Sequence, residues 1–248
     1  MTAADITDTR GAEMFARYAY APNRLGYCGP ADSSLLVGTR EQIESAARQF
    51  TGAWPYLEVM SKMTGIADPL DHSLVESYWL GGGIGAQLQP QPFIDELLSI
   101  IGPQARHYWA HLTEDLAAEA TPNHSFHVLA IYPWSRLLGH GADTQPLSVL
   151  DECRISWGSV LSTDGVTAVV LSQRLHFQNS VLSLTTPETR RVDIPAQIAG
   201  RLSIESGDLV AVHWGRICDR LTPEQVAVLK DSTDRQLHTT SHRISGSA

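Results

Sequence analysis

Two periods of hydrophobicity divide the chain. In the first half apolar residues recur every three to four positions. In the second half they alternate. Residues 41–50 place Ile43, Ala46, Ala47 and Phe50 on one helical face, with Thr39 as a cap before them. Residues 55–64 carry Leu57, Val59, Met60 and Met63. Asp71 is placed to cap a helix through Leu74, Val75, Tyr78 and Trp79, which the run Gly81-Gly82-Gly83 ends. Phe93, Ile94, Leu97, Leu98 and Ile101 form the most regular stripe, closed by Gly102-Pro103, and a further helix is expected over 106–120. Helices of these lengths with short polar links predict an α-helical domain over residues 1–120.

From Cys153 the period becomes two. Ile155, Trp157 and Val160, then 166–171, 181–184, 192–194 and 209–212, are β-rich runs. Turn signals separate them at Asp164-Gly165, Gln178-Asn179-Ser180, Pro187 and Ser206-Gly207-Asp208. Five such strands fit a small OB-like β-barrel. A helix over 223–237 follows, with Thr222 as cap and Pro223 at its first position. The tail from Thr239 is expected to be loose. Residues 121–150, broken by Pro122, Pro133, Gly139, Gly141 and Pro146, read as an irregular connector. The fold class is therefore α+β: a helical domain, a connector, and a barrel with a C-terminal helix over 151–248.

Composition narrows the functional classes. The chain has 248 residues, is 43% hydrophobic and 18% charged, and carries a formal net charge of −9. That balance disfavours nucleic acid and anionic membranes, which need clustered Lys and Arg. No apolar run reaches the ~18 residues of a membrane helix. The first ten residues are polar and acidic rather than signal-like, so a cytoplasmic protein is expected. Cys28, Cys153 and Cys218 are too few, and odd in number, for a disulfide framework, and no CxxC pair suggests structural zinc.

The candidate chemistry lies with thiols and imidazoles. Cys153 opens the β-rich half, and His213 lies in the apolar run 209–215. Each taken alone is more often a core residue than a ligand. A thiol and an imidazole on one rigid barrel suit a transition metal. Cys28 sits in an aromatic, Gly- and Pro-rich stretch over 17–32 that reads as a loop, with Arg17 and Arg24 placed to lower its pKa. His124 and His127, three apart, offer two further metal ligands, and His107 and His111 share a face of the expected 106–120 helix. The glycines at 81–85 follow a helix and lack the Lys-Ser/Thr ending of a phosphate loop. No GxSxG is present.

Cys153-Arg-Ile-Ser-Trp-Gly-Ser-Val160 and Gly207-Asp-Leu-Val-Ala-Val-His-Trp-Gly215, with Thr222-Pro223-Glu224 beyond them, resemble the HypC family of [NiFe]-hydrogenase maturation chaperones over about residues 153–237. The resemblance implies that Cys153 and His213 help hold iron as an Fe(CN)2CO fragment. It implies a HypD-like scaffold protein and the hydrogenase large subunit precursor as partners, and a metallochaperone with no turnover of its own. Three features depart from that family. Cys153 is internal rather than following an initiator Met, Trp157-Gly158 stands where Pro-Gly is usual, and 175–186 reads as an insertion. The helical half, with Gly26-Tyr-Cys-Gly-Pro30, Ala53-Trp-Pro-Tyr-Leu57, Glu76-Ser-Tyr-Trp79 and His124-Ser-Phe-His127, resembles an uncharacterised bacterial family associated with hydrogenase genes. The alternatives are an iron- or haem-dependent enzyme that supplies carbon monoxide, and an OB-type protein-binding module.

Overall fold

In the computed structural model, which describes residues 8–31, 34–104 and 111–246, the chain opens with α1 (Arg10–Arg24). Phe15, Tyr18 and Ala19 of this helix are fully buried. The sequence stretch from Arg17 reads as loop, yet its first half is helical. Buried residues cover most of the circumference of α1 and leave a narrow polar stripe of Arg10, Glu13, Arg17 and Arg24. Pro22 falls inside its last turn.

The next helices follow their sequence signals. Helix α2 (Arg40–Ala47) begins with a reciprocal Thr39–Gln42 capping box. Helix α3 (Trp54–Thr64) carries Pro55 in its first turn. Asp71 caps α4 (His72–Leu80) at the Ser73 amide, 2.8 Å away, and Gly81 ends it at φ +84°. Helix α5 is Pro90–Ile101. Of the helix expected over 106–120, residues 105–110, with His107, lie outside the described residues, and Glu114–Ala118 form a 3-10 turn.

The expected irregular connector is largely helical. Helix α6 (His124–Phe126) runs directly into a π-helical turn, His127–Ile131. A 3-10 turn (Pro133–Leu137) and α7 (Thr144–Cys153) follow. Pro133 and Pro146 read as breakers but sit in first turns, where the missing N–H costs nothing. Cys153 therefore ends a helix rather than starting a strand.

Strands β1 (Ser156–Thr163), β2 (Thr167–Ser172), β5 (Glu188–Asp193), β6 (Leu209–His213) and β7 (Arg216–Leu221) close into a barrel in the order β1-β2-β5-β7-β6. Its pairs are antiparallel except β5 with β7. Val160, Val170, Val192, Val210, Val212 and Ile217 fill the interior. Helix α8 (Ala196–Leu202) joins β5 to β6. The run 181–184, expected as a barrel strand, instead forms β4 (Val181–Leu184) of a separate hairpin with β3 (Leu175–Gln178). Its barrel place goes to β7, whose Arg and Asp residues hide the alternation. Helix α9 (Pro223–Gly246) runs well past Leu237, because Leu237 and Ile244 pack with Leu175 and Leu182 of the hairpin. The Ser241 hydroxyl also accepts the Leu182 amide at 2.9 Å.

The two halves share one core. Strand β6 is buried on both faces. Val210 and Val212 face the barrel interior, while Ala211 joins Phe15, Tyr18 and Trp79 in the helical core, with Cys218 and Leu221 of β7. An Arg17–Asp219 ion pair crosses the same seam. At the end of α7, the buried Asp151 carboxylate accepts from Arg154 Nε at 3.1 Å and Nη2 at 3.0 Å, and from the Leu175 amide at 2.8 Å. Arg154 is 2% exposed. Removing the carboxylate strands a buried guanidinium, so Asp151→Ala is expected to cost about 3–5 kcal/mol in urea unfolding. Unchanged stability would show that the pair does not fix the α7–β1 junction.

Candidate metal centre

His213 is placed by alternation along β6. Residues 209, 211 and 213 face the helices, so the last side chain of the strand points across the seam toward α1. The chain then reverses through Trp214 (φ +50°) and Gly215 (φ +69°) into β7. A bulky residue at positive φ is strained and persists only when its surroundings hold it. Here the Trp214 amide donates to the Glu152 carbonyl at 2.9 Å, and its ring stacks on Tyr27 at 4.1 Å. That amide bond docks the turn after His213 onto the end of α7, one residue from Cys153. Arg190 holds the Glu152 carboxylate at 3.2 Å.

The seam brings three donors together. Ligand atoms of His124, Cys153 and His213 all lie within 4.8 Å of one another, and all three residues are buried. The His213 Nδ1–H donates to the Tyr18 carbonyl at 2.8 Å. Its lone pair is thereby left on Nε2, which is buried without a hydrogen-bond partner. The Tyr18 carbonyl is free for this role because residue i+4 is Pro22, which has no N–H to close the helical bond. His124 donates from Nε2 to the Cys153 carbonyl at 2.9 Å, an end-of-helix group with no intrahelical partner, and its Nδ1 accepts the Tyr78 hydroxyl at 3.2 Å. Both imidazoles thus have one N–H pinned on a backbone carbonyl, as metal-ligating histidines do. Coordination by His124 requires it to give up a present partner. The Tyr78 hydroxyl has a second acceptor in the Gly52 carbonyl at 3.4 Å.

Burial sets the electrostatics. It pushes His213 down to about 4, against the pull of the Tyr18 carbonyl, and His127 down to about 4. Burial, with His213 and His127 nearby, holds His124 well below the ordinary imidazole value. The Cys153 thiol is pushed up to about 12 by burial, with Cys28 adding to it and the Trp214 indole opposing. The folded site therefore holds neutral imidazoles and a neutral thiol.

Beside the donors lies a cavity of about 220 Å³, lined by Cys28, Trp79, His124, His127, Cys153 and Trp214 among others. Gly52 is required at its wall, since a Cβ there would stand 2.7 Å from His127 Nε2. Of the five site residues expected from sequence, His124, Cys153 and His213 form the three-donor group, and Cys28 and His127 line the adjoining cavity. Arg17 and Arg24 do not activate Cys28. Arg17 turns to Asp219, and burial raises the Cys28 thiol to about 12. His111 is spent on the Ile131 carbonyl at 2.9 Å. Sequence reasoning missed Tyr18, Pro22, Trp79 and Trp214. Proline four residues after Tyr18 in an apolar helix was the available signal.

Two outcomes are expected. In Pro22→Ala the new amide competes for the Tyr18 carbonyl. The His213 Nδ1–H tautomer should lose population in 15N-detected imidazole spectra, and metal affinity should fall about 10–100-fold. A wild-type tautomer in that variant would remove Pro22 from the site. The second concerns pH. An imidazole whose folded pKa lies below 6.5 binds more protons unfolded, so stability rises with pH. The contribution is complete above about 6.5 and is lost as pH falls toward about 4. Unfolding free energies from urea titrations should drop across that window by roughly 3 kcal/mol for each of His213 and His127. A flat profile would contradict their burial as neutral groups.

No curated protein and no solved structure matches the chain. One family does match, described as a family of unknown function (DUF6390), and it covers residues 7–247, helical half and barrel alike. On that match the chain belongs to the DUF6390 family.

Proposed function

We propose that this protein is a metallochaperone that holds a ligated iron fragment of the Fe(CN)2CO type for [NiFe]-hydrogenase assembly, gripping it with Cys153 and His213. The observation that carries the reading is the convergence of the Cys153 thiol, the unpartnered His213 Nε2 and His124 within 4.8 Å in a buried setting. A thiolate is a strong soft donor and an imidazole a borderline one, a set suited to low-valent iron. The cargo arrives with its own carbon monoxide and cyanide ligands, which the protein has only to accommodate.

The chain's residues perform the remaining steps. Cys153 surrenders its proton on binding, and the Trp214 indole stabilises the resulting thiolate. His213 stays neutral and fixed by the Tyr18 carbonyl, so it presents a lone pair without rearrangement. Trp79, Tyr78 and Phe50 keep the lining largely apolar and exclude water. The space supports a fragment with a few small ligands. About 220 Å³ is about seven water volumes of roughly 30 Å³ each. It is below the roughly 300–1,000 Å³ of ordinary cofactor pockets, so the haem alternative is disfavoured. The partners that follow are a HypD-like donor and the hydrogenase large subunit precursor.

Protein purified anaerobically after co-expression with hydrogenase maturation proteins should show infrared bands of iron-bound carbon monoxide and cyanide. Cys153→Ser and His213→Ala should each abolish them. A folded wild-type protein that carries no such bands, or bands that survive both substitutions, overturns the proposal.

A further inference from the structure

Three residues lining the cavity carry a buried polar atom without a hydrogen-bond partner among the described residues: Trp214, whose indole lies against the Cys153 thiol, and His127 and Trp79. His127 Nδ1 and Trp79 Nε1 have no hydrogen-bond partner among the described residues, and the two side chains are 5% and 3% exposed. Both line the cavity. The Trp79 ring lies 4.8 Å from that of His124 and 5.9 Å from that of His213, and His127 lies 6.0 Å from His124. They therefore flank the three donors without belonging to them. Burying a polar group without a partner is unfavourable unless something satisfies it.

Their chemistry restricts what that something is. An indole N–H only donates, so the guest must offer an acceptor atom. No Lys, Arg, Asp or Glu lines the cavity among the described residues. A multiply charged guest such as phosphate would be desolvated there without a counter-charge. The volume excludes all but a few heavy atoms beside a metal ion.

We infer that the cavity is a subsite for a small linear ligand of low charge with an accepting terminal atom, of the azide class, taken up beside the metal and hydrogen-bonded by Trp79 Nε1–H and His127. This rests on the metal-binding reading above and adds to it that the site exchanges such ligands from solution. It assigns the two hydrogen-bonding residues to the helical half rather than to the barrel.

Full-length protein loaded with Co(II) provides the test. Azide should bind saturably, changing the visible spectrum, and the bound azide stretch should shift between H2O and D2O. Trp79→Phe and His127→Phe, each compared at equal Co(II) occupancy, should weaken azide about tenfold. A spectrum indifferent to azide in Co(II)-loaded wild type overturns this inference alone. So does azide binding without a solvent isotope shift, or affinity unaltered in both variants. If wild type takes up no Co(II), the metal reading and this inference fall together.

Discussion

The hydrogen bond from His213 Nδ1 to the Tyr18 carbonyl joins the last residue of a barrel strand to the middle of the first helix. Everything at the site depends on it. It fixes which imidazole nitrogen carries the proton, and so which one is available. It exists because a proline four residues later leaves a helical carbonyl unused. A feature that reads in sequence as a helix breaker thus acts as a donor-positioning device, at the cost of one backbone bond.

The site is a property of the seam rather than of either half. Cys153 comes from α7, His124 from the turn capped by Asn123, and His213 from β6. The hydrogen bond from the Trp214 amide to the Glu152 carbonyl ties β6 to α7, and that from His124 Nε2 to the Cys153 carbonyl ties the His124 turn to α7. The largest core cluster runs continuously from α1 and α4 into β6, β7 and α9. The barrel outer face, with Ala211, Cys218 and Leu221, is thus an interior surface of the whole protein.

Much of this was legible in the residues, for identifiable reasons. Capped helices such as α2 and α4 and strands with clean alternation such as β2 announce themselves, because their signals are local. Cys153, His213, His124, His127 and Cys28 stand out by chemical type, and the fold gathers all five around one cavity or its edge. What escaped was partly non-local. Helix α1 carries a polar stripe of Arg10, Glu13, Arg17 and Arg24, but Pro22 and the Gly- and Pro-rich residues after it made the stretch read as loop. Strand β7 was masked by Arg216, Asp219 and Arg220, whose charges are answered from neighbouring elements. The prolines of 121–150 read as interruptions, although a proline in a first turn starts a helix. The roles of Trp79 and Trp214 depend on which rings lie beside the imidazoles, and spacing along the chain carries no trace of that.

The neutrality of the donors has a consequence for binding. With the Cys153 thiol held protonated and the imidazoles uncharged, the three donors present no charge of their own. On the proposed metal-binding reading, capture would exchange one proton for one metal centre, and release would be the reverse. Binding at the α7–β6 junction would then follow the supply of a single proton to the Cys153 sulfur.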